Sequence, residues 1–346
     1  MLQGDLRTGR RAWIVLSALV AAVLMLGMST VTAAAAPREG TRTAAGSAAV
    51  SGCGAATKPG DHRLPVRSQG RGYRVLTHLP TGYTGQRRLP LVLNLHGTTH
   101  DGVNQQQLTG MNAVADDGAF IVAAPNGGIR LPRGYAWNVP GVPLANGSEV
   151  PAGARNDVTF LADTVRAAAR SYCVEPDRVY VAGHSGGARM ASALACERAD
   201  LVSGLAAVSG LRAGTPGPLT GAPEPDSCRP GRPVPVISFH GDADRLNPYA
   251  GGGGSYWAYS IPAAVQAWDR IDSCTPSPSA VPVSGDVSVR RSTGCAGGSA
   301  VSSYEVSGGG HTWPGSRYND AASGRTTFEI DASRTIWSFF SGLARR

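Results

Sequence analysis

The sequence predicts an α/β fold with a mostly parallel central sheet and helices on both faces. Short apolar, β-branched runs alternate with helix-period segments from Arg74 to Phe340. One such run, Val179-Tyr180-Val181, passes through Gly183-His184-Ser185-Gly186-Gly187 into a stretch of good helix formers at 188–197. Beyond an N-terminal leader, roughly 295 residues remain, the size of one large domain. The chain of 346 residues is 42% hydrophobic, ample for a core.

The leader comes first. Arg7, Arg10 and Arg11 precede an apolar run at 13–28, and small residues follow up to Ala36-Pro37. A charged head, an apolar core and a small-residue cleavage region read as a secretory signal peptide over residues 1–36. The Arg10-Arg11 pair also fits a twin-arginine export signal. Residues 37–51 are Ala, Gly, Ser, Thr and Arg without periodicity, the composition of a disordered stalk. The folded domain is therefore expected over 52–346, in a secreted, extracellular protein with no stable membrane anchor once the signal is cleaved. No other apolar run is long enough to span a bilayer.

The elements follow in order. Residues 74–79 alternate as a strand and 80–83 turn. Residues 89–95 form a buried strand ending in His96-Gly97-Thr98-Thr99. Residues 105–117 carry Leu108, Met111, Val114 and Ala115 on one helical face, and Gly118 stops that helix. A strand at 120–124 leads into a long Gly- and Pro-rich loop at 125–154, whose Tyr135 and Trp137 suggest a binding wall. Asn156-Asp157 caps a helix bearing Val158, Leu161, Val165 and Ala168. After the helix at 188–197 come strands at 205–208 and 234–239, a helix at 261–271, a strand at 301–306 and a final helix capped by Asp331 or Ser333.

The Gly-x-Ser-x-Gly string between a strand and a helix has the context of a nucleophile elbow, as α/β-hydrolase folds use it. The serine must stand on a tight turn clear of the sheet. Gly183 and Gly187 remove side chains where strand and helix crowd together. The N–H of Gly186, at the helix N-terminus, is suited to stabilise an oxyanion. A second donor is expected from the loop after the 89–95 strand, the N–H of Thr98.

Such a serine needs a base and a carboxylate to orient it, in the chain order Ser, Asp, His and each just after a strand. Ser185, Asp244 and His311 meet both conditions, with Asp242, two residues before Asp244, as the alternative acid. His240, at the strand end itself, is expected to bond the loop backbone. His184 is expected to point away from the base position and His96 to be structural. No motif assigns a role to His62, His78 or His100.

Composition narrows the partners. The formal charge is +8, yet Lys58 is the only lysine and the arginines are scattered. A basic chain without a basic cluster or stacking motif does not read as a nucleic-acid binder. Six cysteines, Cys53, Cys173, Cys196, Cys228, Cys274 and Cys295, all follow the leader. None are in C-x-x-C spacing, so disulfides are expected and zinc is not. Cys274 and Cys295 bracket a Pro/Ser/Gly-rich loop and are the first expected pair. Cys196 and Cys228 flank the sheet edge opposite the site and could form the second, leaving Cys53 with Cys173. No metal or other cofactor is expected, and a monomer is.

Four strings taken together resemble a known family. They are Leu95-His96-Gly97-Thr98, the Gly-His-Ser-Gly-Gly elbow, His240-Gly-Asp-Ala-Asp244 with Pro248-Tyr249, and Gly309-Gly-His311-Thr-Trp313-Pro-Gly315. In this order they resemble the secreted poly(3-hydroxybutyrate) depolymerase family, which includes feruloyl and acetylxylan carbohydrate esterases. The resemblance covers about residues 73–340. It implies a serine esterase acting on a hydroxyalkanoate oligomer or a plant cell-wall ester, and it favours Asp244 over Asp242 as the acid. Trp137 and Trp313 are the expected substrate-binding aromatics. The sequence departs from the family where Gly186 follows the serine in place of a frequent Asn. No appended polymer-binding module is visible, which favours soluble esters. An exported acyltransferase on the same fold, or a non-catalytic wall-associated binding module, are the alternatives.

If the six cysteines are paired, free-thiol titration of the denatured, unreduced exported protein should find close to none. Several reactive thiols would instead mean that the leader has been misread.

Overall fold

The computed structural model describes residues 51–217, 221–277 and 279–343. The expected signal peptide and nearly all of the stalk, residues 1–50, lie outside the described residues. Ten strands form one sheet. In chain order they are β1 (Gly60–Ser68), β2 (Arg71–Leu79), β3 (Leu89–Leu95), β4 (Ile121–Ala124), then β7 (Val174–His184), β8 (Gly204–Val208), β9 (Val236–Gly241), β10 (Val281–Ser284), β11 (Val287–Ser292) and β12 (Val301–Val306). A small hairpin, β5 (Ile129–Arg130) and β6 (Tyr135–Ala136), stands apart. Six helices complete the list: α1 (Gly102–Thr109), α2 (Met111–Gly118), α3 (Asp157–Ser171), α4 (Gly186–Glu197), α5 (Ile261–Ile271) and α6 (Ala332–Gly342).

The spatial order is β1-β2-β4-β3-β7-β8-β9-β12-β11-β10. The central run from β4 to β12 is parallel throughout, and the flanking pairs are antiparallel. The sheet is thus mostly parallel, the α/β-hydrolase arrangement. Parallel strands are buried on both faces, which is why they read as continuous apolar runs. Alternate residues serve opposite layers. Leu91, Leu93 and Leu95 pack with Leu161 and Val165 of α3, Leu194 of α4 and Trp268 of α5. Val92, Tyr180 and Phe239 pack with Met111 and Val114 of α2 and with Ile336 and Phe340 of α6.

Several elements differ from the sequence reading. The helix expected over 105–117 is two helices, broken at Gly110, which takes φ 58°. Asp101 caps the first through a capping box with Asn104. The loop expected between Cys274 and Cys295 contains the hairpin of β10 and β11. Its strands are short and its outer strand exposed, so apolar periodicity is weak. The sequence does not announce β1 either, because only its last six residues alternate between exposed and buried. Asn156, not Asp157, is the N-cap of α3, and Asp331 caps α6.

Three disulfides join Cys53 to Cys173, Cys196 to Cys228 and Cys274 to Cys295. The first ties the start of the domain to the end of α3 across a separation of 120 residues, the span over which a crosslink constrains the unfolded chain most. No helix among the described residues is long and apolar enough to cross a membrane.

Candidate active site

The carboxyl ends of β3, β7, β9 and β12 converge on one edge of the sheet, where parallel α/β folds bind ligands. Ser185 links β7 to α4 with φ 54° and ψ −116°. A non-glycine residue in that conformation costs of order 1–3 kcal/mol and persists only where its surroundings impose it. Two close approaches impose it. A Cβ on Gly187 would lie 2.2 Å from the Leu95 carbonyl oxygen, and one on Gly183 would lie 2.4 Å from the Gly187 backbone. The N–H of Ser185 donates to the Val208 carbonyl at 2.9 Å, holding the turn against β8.

The loop after β3 lies against this turn. A Cβ on Gly97 would lie 3.5 Å from Ser185 Cβ, and one on Gly186 would lie 2.5 Å from Thr98 Oγ1 and 3.2 Å from Thr98 N. The loop is fixed from below by His96. Its Nδ1 donates to the Gly97 carbonyl at 2.8 Å, and its Nε2 accepts from the N–H of Gly127 at 2.9 Å. That pattern requires the neutral Nδ1–H tautomer, and burial pulls the imidazole down to about 4. Thr99, at φ 72°, donates from its N–H to the Tyr135 carbonyl.

Asp244 and His311 meet over the same edge. His311 Nδ1 is 2.7 Å from Asp244 Oδ2, and both side chains are buried. The other carboxylate oxygen accepts from the N–H groups of Leu246 and Asn247 at 2.9 and 2.8 Å. His240 Nε2 donates to the Asn247 carbonyl at 2.8 Å and lies 3.3 Å from Asp244 Oδ2. Burial alone would raise the Asp244 pKa. The hydrogen bonds from His240 and His311 outweigh it and hold the carboxyl well below the usual carboxylate range. Asp242 serves the backbone instead. Its Oδ1 accepts from the Gly308 N–H at 2.6 Å, tying the acid loop to the histidine loop. The Ala243 N–H donates to the Gly309 carbonyl alongside it.

Two expected residues are elsewhere. Trp137 is only 3% exposed and donates its indole N–H to the His96 carbonyl at 2.8 Å. Trp313 is 1% exposed and donates to Ser333 Oγ at 3.1 Å. Neither ring lines the cleft. Each brings a large apolar body to the core and finds an acceptor for its single polar atom. His184 also departs from expectation, since its ring packs 5.0 Å from that of His311 instead of turning away. Sequence reading missed Asn247, whose side chain donates to the Ser209 carbonyl at 2.7 Å and anchors the acid loop to β8. Nothing in its local sequence distinguishes it from a turn residue. Asp157, read as a cap, is fully buried. It accepts from the N–H groups of Gly128 and Asn138 and pairs with Arg155 at 2.6 Å, gathering the 125–154 loop.

No group of His, Cys, Asp and Glu among the described residues is arranged to hold a metal ion. This edge carries a strained serine, a histidine backed by a buried carboxylate, and the neighbouring backbone N–H groups of Thr98 and Gly186, which donate no hydrogen bond among the described residues. Chemically it can attack and release a carbonyl group.

Comparison with known proteins places this geometry. The family model described as Esterase matches residues 67–295. Feruloyl esterase B of Piromyces equi is 27% identical over 69% of this chain and 42% of its own length. The esterase NocK of Nocardia uniformis subsp. tsuyamanensis is 32% identical over 73% of this chain and 74% of its own. Poly(3-hydroxybutyrate) depolymerase of Ralstonia pickettii is 26% identical over 75% of this chain and 54% of its own. The chain thus spans about half of two of these relatives and about three quarters of the third. Among solved structures, acetyl xylan esterase from Aspergillus awamori shares the fold, with a TM-score of 0.55 at 16% identity over 78% of this chain and 93% of that one.

The buried histidines make stability depend on pH. An unfolded chain takes up a proton on His96 below roughly pH 6.5, whereas the folded imidazole does so only near 4. Protons therefore favour the unfolded state in that window, and stability falls as pH drops through it, by at most about 1.4 kcal/mol per pH unit for each such histidine. His184, lowered well below its ordinary value by burial, acts in the same direction. The urea midpoint should fall between pH 7 and 4.5, and less steeply in His96→Asn. A variant slope equal to the wild-type slope would contradict the buried neutral tautomer.

Proposed function

The chain belongs to the Esterase family, and we propose that it is a secreted serine hydrolase of carboxylic esters. In this reading Ser185 Oγ attacks the ester carbonyl as His311 Nε2 takes its proton. Asp244 accepts from Nδ1–H, which fixes the tautomer and stabilises the imidazolium as it forms. The N–H groups of Gly186 and Thr98 receive the oxyanion. Neither donates a hydrogen bond among the described residues, so both are available where negative charge develops. His311 then returns the proton to the leaving alcohol, and water attacks the acyl-enzyme by the reverse sequence.

The observation that carries the proposal is the buried 2.7 Å contact between His311 and Asp244 on the edge where Ser185 is held at positive φ. The three disulfides support an oxidising, extracellular destination. Feruloyl esters and poly(3-hydroxybutyrate) are the substrates named by the relatives and carried to this chain as proposals. The Trp137 indole is buried and offers no stacking face for a sugar acceptor.

Ser185→Ala should lower kcat for p-nitrophenyl acetate by about 10⁴-fold or more with the fold intact, and an organophosphonate should label wild-type Ser185 covalently. Asp244→Asn should cut the rate by roughly 10³- to 10⁴-fold, because the imidazole loses its tautomer and charge partner. Asp242→Asn loses one backbone contact and should be mild by comparison. Normal turnover by the Ser185 variant would overturn the mechanism; a dead Asp242 variant beside an active Asp244 variant would overturn only the acid assignment.

A further inference from the structure

Two arginines that this mechanism does not use lie buried beside the nucleophile. Arg189, in the first turn of α4, is 5% exposed, and Arg212, in the loop after β8, is 6% exposed. Both border one cavity of about 230 Å³, whose walls include Val139, Pro140, Val142 and Ala193. Arg212 is clamped between aromatic rings, its guanidinium carbon 3.1 Å from the Trp257 centroid and 4.2 Å from that of Tyr259. Its Nη1 donates to the Tyr259 carbonyl at 2.8 Å, while Nε and Nη2 are buried without an acceptor. Arg189 lies over the Tyr256 ring at 4.8 Å and makes no side-chain hydrogen bond or ion pair among the described residues, its Nε being buried and bare. Glu197, exposed at the cavity rim, pairs with neither. Burial pulls Arg189 down to about 10 and Arg212 down to about 9, so both stay cationic at neutral pH.

Two desolvated cations bordering one cavity, with the Glu197 carboxylate at its rim paired to neither, are costly, and a bound anion would offset that cost. Position suggests which anion. The Arg189 N–H donates to the Ser185 carbonyl, and its Nη2 lies 3.5 Å from where a Cβ on Gly186 would stand. The missing side chain at 186 leaves that space to the guanidinium and to Thr98 Oγ1. His311 borders a different cavity, shared with His100, His184 and Asp320. A base that returns its proton to the leaving alcohol draws that alcohol to its own side. The arginine cavity meets the elbow through Arg189 Nη2 beside Gly186, and that contact is what points the acyl group toward it.

We propose that this cavity is a carboxylate subsite for the acyl part of the ester, with Arg189 and Arg212 as its cationic partners, so that preferred substrates are half-esters of dicarboxylic acids. Guanidinium is suited to carboxylate by its planar, two-pronged donor set. The hydrolysis is unchanged in balance: the acyl C–O bond breaks, water supplies the new oxygen, one of its protons goes to the alcohol and the other to solvent, and the products are the alcohol and the dicarboxylate. The proposal rests on Ser185 acting as nucleophile.

The test compares kcat/KM for three esters: p-nitrophenyl butyrate, mono-p-nitrophenyl succinate and 4-acetoxybenzoate. They are neutral, anionic on the acyl side and anionic on the alcohol side. The succinyl ester should be favoured over the butyryl ester by about tenfold or more, a preference that Arg189→Gln abolishes and Arg189→Lys keeps in part. The ratio is measured on one preparation, so partial misfolding of a variant leaves it unaffected. Equal loss on both p-nitrophenyl esters, no succinyl preference in the wild type, or a preference for 4-acetoxybenzoate would each overturn the subsite. If none of the esters is hydrolysed, the nucleophile assignment fails, and calorimetry of succinate with the Ser185→Ala protein decides the subsite separately. Binding weakened by adding Arg189→Gln supports it, and no binding overturns it.

Discussion

The site depends on how closely α4 crosses the ends of β3 and β7. Gly187 touches the Leu95 carbonyl and Gly183 touches Gly187, with no room for a side chain at either contact. That approach forces the chain through a left-handed residue, and the residue it forces there is Ser185. Ser185 is left partly exposed there, between buried neighbours on both sides. The loop after β3 shares that geometry, because the helix that presses on Leu95 and His96 also faces Thr98. One packing constraint thus sets the backbone of Ser185 and brings the Thr98 loop against Gly186.

The acid and base loops depend on one another in a different way. Asp244 is buried and its charge is held by four groups: two backbone N–H groups, His240 and His311. A carboxylate so surrounded stays ionised and fixes the imidazole that faces it. Asp242 and Ala243 tie the acid loop to the histidine loop through Gly308 and Gly309. Gly241 allows this, since a Cβ there would lie 2.1 Å from the Gly309 carbonyl oxygen. The short Gly-Asp-Ala-Asp run therefore divides its labour, one aspartate holding backbone and the next facing the imidazole.

The walls of the site follow a separate logic. Aromatic residues near the motifs serve the core: Trp137 and Trp313 direct their indole N–H groups to structural acceptors. Trp257 and Tyr259 instead form the sandwich around Arg212. The cavity bordered by His311 and the cavity bordered by the two arginines differ in their linings. A symmetric binding groove would not produce that difference. An acyl side and an alcohol side with different chemistry would.

The sequence by itself determined the parts whose signal is local. Buried parallel strands declare themselves as apolar runs, helices by their period, and the elbow by a glycine spacing that only a crowded strand–helix turn requires. Ser185, His311 and the pair of Asp242 and Asp244 could be singled out for that reason, since each follows such a strand, while it was the resemblance to a family that supported Asp244 over Asp242. Only the tertiary structure decided what depends on residues far apart in the chain. The antiparallel edges β1, β10 and β11 carry weak periodicity and form by pairing with neighbours already in place. The burial of Trp137 and Trp313 depends on which carbonyl or hydroxyl lies within reach of each indole, and those acceptors come from other segments, 41 and 20 residues away. Arg189 and Arg212 looked like two more scattered arginines, because desolvation is a property of the walls around a charge and no run of sequence records it.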